Sequence, residues 1–204
     1  MKFYEKDQTR YAIILAGGDG RRLSEVTRRI TGDVTPKQFC PVIGNTSLLE
    51  QTRLRVSLAV DEDRIVTVLT RSHERHYRDL LTEILAENLV IQPQNRGTAP
   101  AILYALLRLS KAARDASVVL FPSDHFVSDD REFMRHVDLA FDAVGSQSEM
   151  TVLLGITPHI AESGYGWIEP RELVVRGGPL FRVRRFWEKP RSDIADELLR
   201  AGCM

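Results

Sequence analysis

The sequence predicts an α/β protein with a mostly parallel central sheet flanked by helices. Three observations predict it: short apolar runs recur along the chain, amphipathic patterns separate them, and several runs end in glycine-rich or polar segments. The first run, Tyr11 to Ala16, is short and branched enough to be a buried strand, and it leads directly into Gly17, Gly18 and Gly20. Ser47-Leu48-Leu49-Glu50 has the form of a capping box, which opens a helix continuing to about Ala59. Ile65 to Thr70 reads as the second strand, residues 73 to 86 as a helix, and Leu89 to Ile91 as the third strand. A helix over 99 to 112 precedes the fourth strand, Val118 to Phe121. A helix over 130 to 144 follows, with Phe133, Val137, Ala140, Phe141 and Val144 on one face and Asp129, Asp130 and Glu132 at its positive end. Thr151 to Ile156 is expected to be a fifth strand.

Composition excludes more than it identifies. A chain of 204 residues, 43% hydrophobic and 27% charged, supports one core, so residues 1–204 are expected to form a single domain. Twenty-eight basic residues balance 28 acidic ones, which leaves no global field to draw in nucleic acid or an anionic membrane surface. No apolar run approaches the length of a membrane span. Cys40 and Cys203 lie far apart and form no metal-type or redox pair, which suits a reducing cytoplasm.

In an open parallel sheet, ligands bind beyond the carboxyl ends of the strands. The first strand runs there into the glycine loop, the third into Gln92-Pro93-Gln94-Asn95-Arg96-Gly97-Thr98, and the fourth into Pro122-Ser123-Asp124-His125. Backbone N–H groups of the loop AGGDGRRL can converge on phosphate oxygens, with Arg21, Arg22 and Lys37 supplying positive charge. The loop is not a Walker A motif, since no Gly-Lys-Ser/Thr follows, and read alone it is equally a tight turn.

The ordered set AGGDGRRL, PKQF, RGTAPAI, FPSDH, GITP, ESGYGWIEP and FWEKP resembles the sugar-1-phosphate nucleotidyltransferases, in particular their mannose-1-phosphate guanylyltransferase branch, from residue 12 to about 190. The resemblance implies a Rossmann-like nucleotide-diphospho-sugar transferase fold. It also implies attack of a sugar phosphate on the α-phosphorus of a nucleoside triphosphate, with GTP and mannose 1-phosphate the substrates expected in this branch and pyrophosphate leaving. Such a reaction joins two anions, so positioning and charge stabilisation carry most of the catalysis.

On that resemblance Ala16, Gly17, Gly18 and Gly20 hold the triphosphate, and Arg22 and Lys37 act on its phosphates as catalytic residues. Arg21 stands where relatives usually carry threonine and reads as a solvated charge rather than a further phosphate contact, both readings being open. Asp124 is the catalytic carboxylate and the ligand for Mg²⁺ in its PSDH context, although its position alone favours a cap or turn. His125 is expected to support it by hydrogen bonding. Gln92, Gly97 and Thr98 correspond to the base-reading region, Thr98 being equally a helix N-cap with Pro100 in the first turn. Glu162, Gly164 and Tyr165, with Glu188 and Lys189, correspond to the sugar-phosphate site. His73 and His76, three residues apart, read as solvated polar groups.

Family members continue past Ala201-Gly202-Cys203, so this sequence is expected to lack the family's C-terminal part and to expose an apolar sheet edge that favours association, a homo-oligomer included. Two classes of function follow from the sequence. One is the nucleotidyltransferase, with uridylyl or thymidylyl transfer to glucose 1-phosphate as its variant. The other is a catalytically deficient nucleotide-binding remnant with a regulatory or interaction role.

Overall fold

The computed structural model describes residues 9–20, 23–79, 84–174 and 180–204. They fall into two compact units, Met1–Val152 and Leu153–Met204.

The first unit is built on a four-stranded parallel sheet. Its strands are β1 (Arg10–Leu15), β2 (Ile65–Thr70), β3 (Leu89–Gln92) and β4 (Ser117–Pro122), in the order β3-β2-β1-β4. All six residues of β2 are buried, as an inner strand covered on both faces requires. Alternate side chains of β1 enter different cores. Ala12 and Ile14 pack with Leu49 and Val56 of α2 (Leu48–Val56) and with Met134, Val137 and Phe141 of α5 (Asp130–Ser146). Ile13 packs on the opposite face with Val66, Val68 and Val90 and with Ala101 and Ala105 of α4 (Thr98–Leu109).

The capping box at the start of α2 is present in full. Glu50 N–H donates to Ser47 Oγ at 3.2 Å, and Ser47 N–H donates to Glu50 Oε2 at 2.7 Å. α5 begins where expected, with Asp129 accepting from Glu132 N–H at 2.9 Å, and extends to Ser146. Among the described residues two shorter α-helices complete the unit, α1 (Ser24–Thr31) and α3 (Glu74–Tyr77). Of the expected helix over 73 to 86, α3 is the part found: residues 80–83 lie outside the described part of the chain, and residues 84–86 are not α-helical.

Unlike the first four expected strands, Thr151 to Ile156 forms no strand. Leu153, Leu154 and Ile156 are exposed and enter neither ladder of the described residues. Branched, apolar composition favours an extended chain, but a strand also needs a partner for its backbone groups.

The second unit is an antiparallel hairpin covered by a helix. β5 (Gly166–Leu173) pairs with β6 (Phe181–Glu188), and α6 (Ser192–Arg200) follows. Trp167, Ala195, Leu198 and Cys203 form its core. The hairpin register shifts at Pro170, whose ring nitrogen cannot donate to the ladder.

Candidate functional site

The chain passes from β1 to β2 and β3 on one side, then crosses to β4 on the other, so the sheet's switch point lies between β1 and β4. In open α/β sheets the ligand crevice forms at such a point, beyond the carboxyl ends of the strands. β1 delivers the glycine loop there and β4 delivers Ser123-Asp124-His125.

The glycine loop leaves the sheet under tight control. Ala16 N–H still donates to Val68 O at 2.8 Å, and Ser123 N–H donates to Leu15 O at 3.2 Å. Past that point side chains replace strand partners. Thr70 Oγ1 donates to Gly17 O at 3.0 Å, while Gln38 Nε2 donates to Ala16 O at 2.9 Å and to Gly18 O at 2.8 Å. Gly17 must lack a side chain, since a Cβ there would stand 2.7 Å from Thr70 Oγ1 and 2.9 Å from Gln92 Nε2. Gly20 has a φ of 62° and approaches the backbone of Lys37, so the PKQF segment lies directly against the loop.

That segment is a 3-10 turn, Lys37–Phe39, with Gln38 and Phe39 buried. It turns Gln38 towards the glycine loop and Lys37 towards β4, where Lys37 Nζ lies 3.5 Å from Asp124 Oδ2. Asp124 is itself held at one remove. Buried Arg55 of α2 donates through Nε to Asp130 Oδ1 at 2.5 Å and through Nη1 to the carbonyl of His125 at 3.5 Å. The His125 ring is exposed, and its backbone oxygen is the atom that Arg55 engages.

The structure therefore brings Gly17, Gly20, Gln92, Lys37 and Asp124 to one end of one sheet. Gly97 and Thr98 are exposed at the start of α4, beyond Gln92. Gly97, at φ 94°, occupies the N-cap position and Thr98 is the first helical residue, so the N-cap reading of Thr98 is displaced by one. Arg22, with Arg21, lies outside the described residues.

His73 corrects the expectation of a solvated histidine. It ends a 3-10 turn after β2, is buried, and places Nε2 3.4 Å from Oδ1 of Asp19 in the glycine loop. Its ring meets Phe39 edge-on, whereas that of His76 stacks on Phe39. Burial lowers the His73 pKa below 6.5, opposed by the charge and hydrogen bond of Asp19. Gln38, Thr70 and Arg55 were not singled out by sequence reasoning. Their only sequence signal is adjacency to the motifs, because burial of a polar side chain against a loop leaves no periodic trace.

In the second unit the expected sugar-phosphate residues share one end of the hairpin. Gly166 pairs with Glu188, and Lys189 N–H donates to Tyr165 O at 3.2 Å. Glu162 Oε1 accepts from Gly164 N–H at 2.7 Å, and the carbonyl of Glu162 accepts from Trp167 Nε1 at 2.8 Å. Among the described non-glycine residues Lys189 alone has a positive φ, 45°, and its Nζ lies 3.1 Å from Glu188 Oε1. Tyr165, Glu188 and Lys189 are exposed and present a phenol, a carboxylate and an ammonium at this end.

Residues 11–203 match the Nucleotidyl transferase family. The chain is 34% identical over 194 residues to the mannose-1-phosphate guanylyltransferase RfbM of Salmonella typhimurium, covering 93% of this chain and 39% of that protein. It is 32% identical over 195 residues to the alginate biosynthesis protein AlgA of Pseudomonas aeruginosa, covering 93% of this chain and 38% of that protein. The crystal structure of mannose-1-phosphate geranyltransferase from Thermus thermophilus superposes with a TM-score of 0.79 at 30% identity, covering 96% of this chain and 55% of that one. The chain thus spans about two fifths of the length of these curated relatives.

Proposed function

This chain belongs to the nucleotidyl transferase family, and we propose that it transfers the nucleotidyl group of GTP to mannose 1-phosphate with release of pyrophosphate. The observation that carries this reading is the meeting of Lys37 and Asp124, 3.5 Å apart, beside the glycine loop at the sheet's switch point. A cation, a carboxylate and a glycine-rich loop on separate elements are what a triphosphate and its metal require.

In this reading the loop from Ala16 to Gly20 lies along the triphosphate, and the Lys37 ammonium offsets negative charge on the phosphates, helped by Arg22. Gln92, Gly97 and Thr98 face the base. Glu162, Gly164, Tyr165, Glu188 and Lys189 take the sugar phosphate, with Glu188 suited to sugar hydroxyls and Lys189 to the phosphate. Asp124 fits Mg²⁺, since its carboxylate is part-exposed just past the end of β4. Mg²⁺ needs only one or two protein carboxylates when substrate phosphates supply further oxygens, and when bound it neutralises charge on the departing pyrophosphate.

No helix of the described residues is long and apolar enough to cross a membrane. A cytoplasmic location is part of the proposal, supported by the two buried, unpaired thiols Cys40 and Cys203. Association of copies is also part of it, supported by the edge position of β4 among the described strands, where Leu120 is exposed.

The test is product identity. The chain is incubated with Mg²⁺, each of the four nucleoside triphosphates, and mannose or glucose 1-phosphate, and the nucleotide sugars are resolved by mass spectrometry. GDP-mannose is the expected product. UDP-glucose or dTDP-glucose would reassign the substrates, and nucleotide binding with no product would favour the catalytically deficient remnant.

A further inference from the structure

We infer that Gln38 is a positioning residue of the nucleotide site, setting the orientation of the glycine-loop peptides. The inference rests on the reading that this loop binds a nucleoside triphosphate. Gln38 follows Lys37 directly, yet the two side chains take opposite roles. Lys37 is part-exposed and reaches Asp124, whereas Gln38 is 4% exposed and reaches back to the loop.

A carboxamide nitrogen carries two hydrogens, and Gln38 places both on carbonyls two residues apart, Ala16 O at 2.9 Å and Gly18 O at 2.8 Å. The carbonyl between them, Gly17 O, accepts instead from Thr70 Oγ1 at 3.0 Å. Three successive carbonyls are thus claimed by two side chains from outside the loop.

Peptide planarity turns this into control of the N–H groups. In a trans peptide the N–H of the next residue points opposite to the carbonyl, and the described residues contain no cis bond. Fixing the carbonyls of Ala16 and Gly18 on Gln38 therefore directs the N–H groups of Gly17 and Asp19 away from it. Fixing the Gly17 carbonyl on Thr70 directs the N–H of Gly18 away from Thr70. Glycine-rich backbone has little preference of its own, so without these bonds the peptides would sample several orientations. Preorganised donors require no such ordering when the anion arrives. Gln38 also ties Lys37 to the loop, because one short turn carries the ammonium on one side and the carboxamide on the other.

The experiment compares the unaltered chain with Gln38→Met, which keeps length and volume but has no donor, and Gln38→Glu, which places an oxygen where the nitrogen stood. Binding of Mg²⁺-GTP is followed by calorimetry, folding by circular dichroism, and KM is measured separately for GTP and mannose 1-phosphate. Both variants are expected to fold, to weaken GTP binding and raise its KM by about tenfold or more, and to leave the KM for mannose 1-phosphate within about twofold. Equal effects on both substrates, or GTP binding within about threefold of the unaltered chain, would overturn the inference. Failure of both variants to fold would overturn it as well, making Gln38 a packing residue. Absence of GTP binding by the unaltered chain would instead sink the functional reading, and the inference with it.

Discussion

Replacing Gly17 with alanine tests the packing beneath the glycine loop. Gly17 is not among the glycines with positive φ, so alanine meets no backbone penalty there and the effect is steric. The new Cβ would lie 2.7 Å from Thr70 Oγ1 and 2.9 Å from Gln92 Nε2, well inside ordinary contact. Neither neighbour has room to yield: Thr70 is 1% and Gln92 6% exposed, and Thr70 Oγ1 is held by its bond to Gly17 O. Overpacking of this kind costs about 1–3 kcal/mol, and a domain of this size loses roughly 2–4 °C of melting temperature per kcal/mol. A fall of about 4–8 °C is therefore expected for a cost near the middle of that range. Thr70→Ala alone loses one hydrogen bond, about 1 kcal/mol, but in the Gly17→Ala background it also removes the nearest clashing atom. The double variant should accordingly be more stable than the sum of the singles predicts, by about 1 kcal/mol in a thermal-unfolding cycle. Additive effects, or a single-variant melting temperature within about 1 °C of the parent, would refute the packing described for this loop.

Asp124→Asn should lower turnover by more than about 100-fold while leaving the fold intact, since a part-exposed ion pair contributes only about 0–1 kcal/mol; unchanged turnover would remove Asp124 from the metal site. Lys189→Gly should raise the melting temperature, by relieving about 1–2 kcal/mol of left-handed strain against about 0.5–1 kcal/mol for glycine's extra backbone entropy, yet weaken mannose 1-phosphate binding. A lower melting temperature, or unchanged affinity, would contradict that pairing of effects. The His73 pKa is lowered in the folded chain, so the native state binds fewer protons than the unfolded one. The associated stability is complete above the unfolded value near 6.5 and is lost as pH falls through the folded value. His76 shifts in the same direction, chiefly through burial. Melting temperature should thus decline below about pH 6.5, and His73→Gln should shrink but not abolish that decline. Equal slopes for the two proteins would show that His73 is not the buried titrating group.

The parts of this fold that the sequence revealed are those whose physics is local. β1 to β4 announce themselves as apolar runs, and the Ser47-Glu50 cap satisfies its donors within one turn. Lys37 and Asp124 were singled out through the ordered motifs AGGDGRRL, PKQF and FPSDH, since position alone suits an exposed lysine after a proline and a cap or turn. α1 was not anticipated, since its apolar residues, Val26 and Ile30, are few and exposed and Thr27 is its sole buried residue. β5 and β6 were recognised as motifs but not as a hairpin, because Pro170 interrupts one strand and the adjacent Arg184 and Arg185 break the alternation of the other. Thr151 to Ile156 misled for the opposite reason: its composition suits a strand, but pairing is a tertiary condition. Gln38, Thr70 and His73 are polar groups buried by partners distant in sequence, which no window of neighbouring residues can disclose.

The measurement that bears most directly on the central claim is pyrophosphate release by the purified chain with Mg²⁺, followed with GTP alone, with mannose 1-phosphate alone and with both. Release is expected only when both substrates are present, in step with GDP-mannose formation and nearly abolished in Asp124→Asn. Release from GTP alone, or none from a folded chain that binds GTP, would contradict the claim.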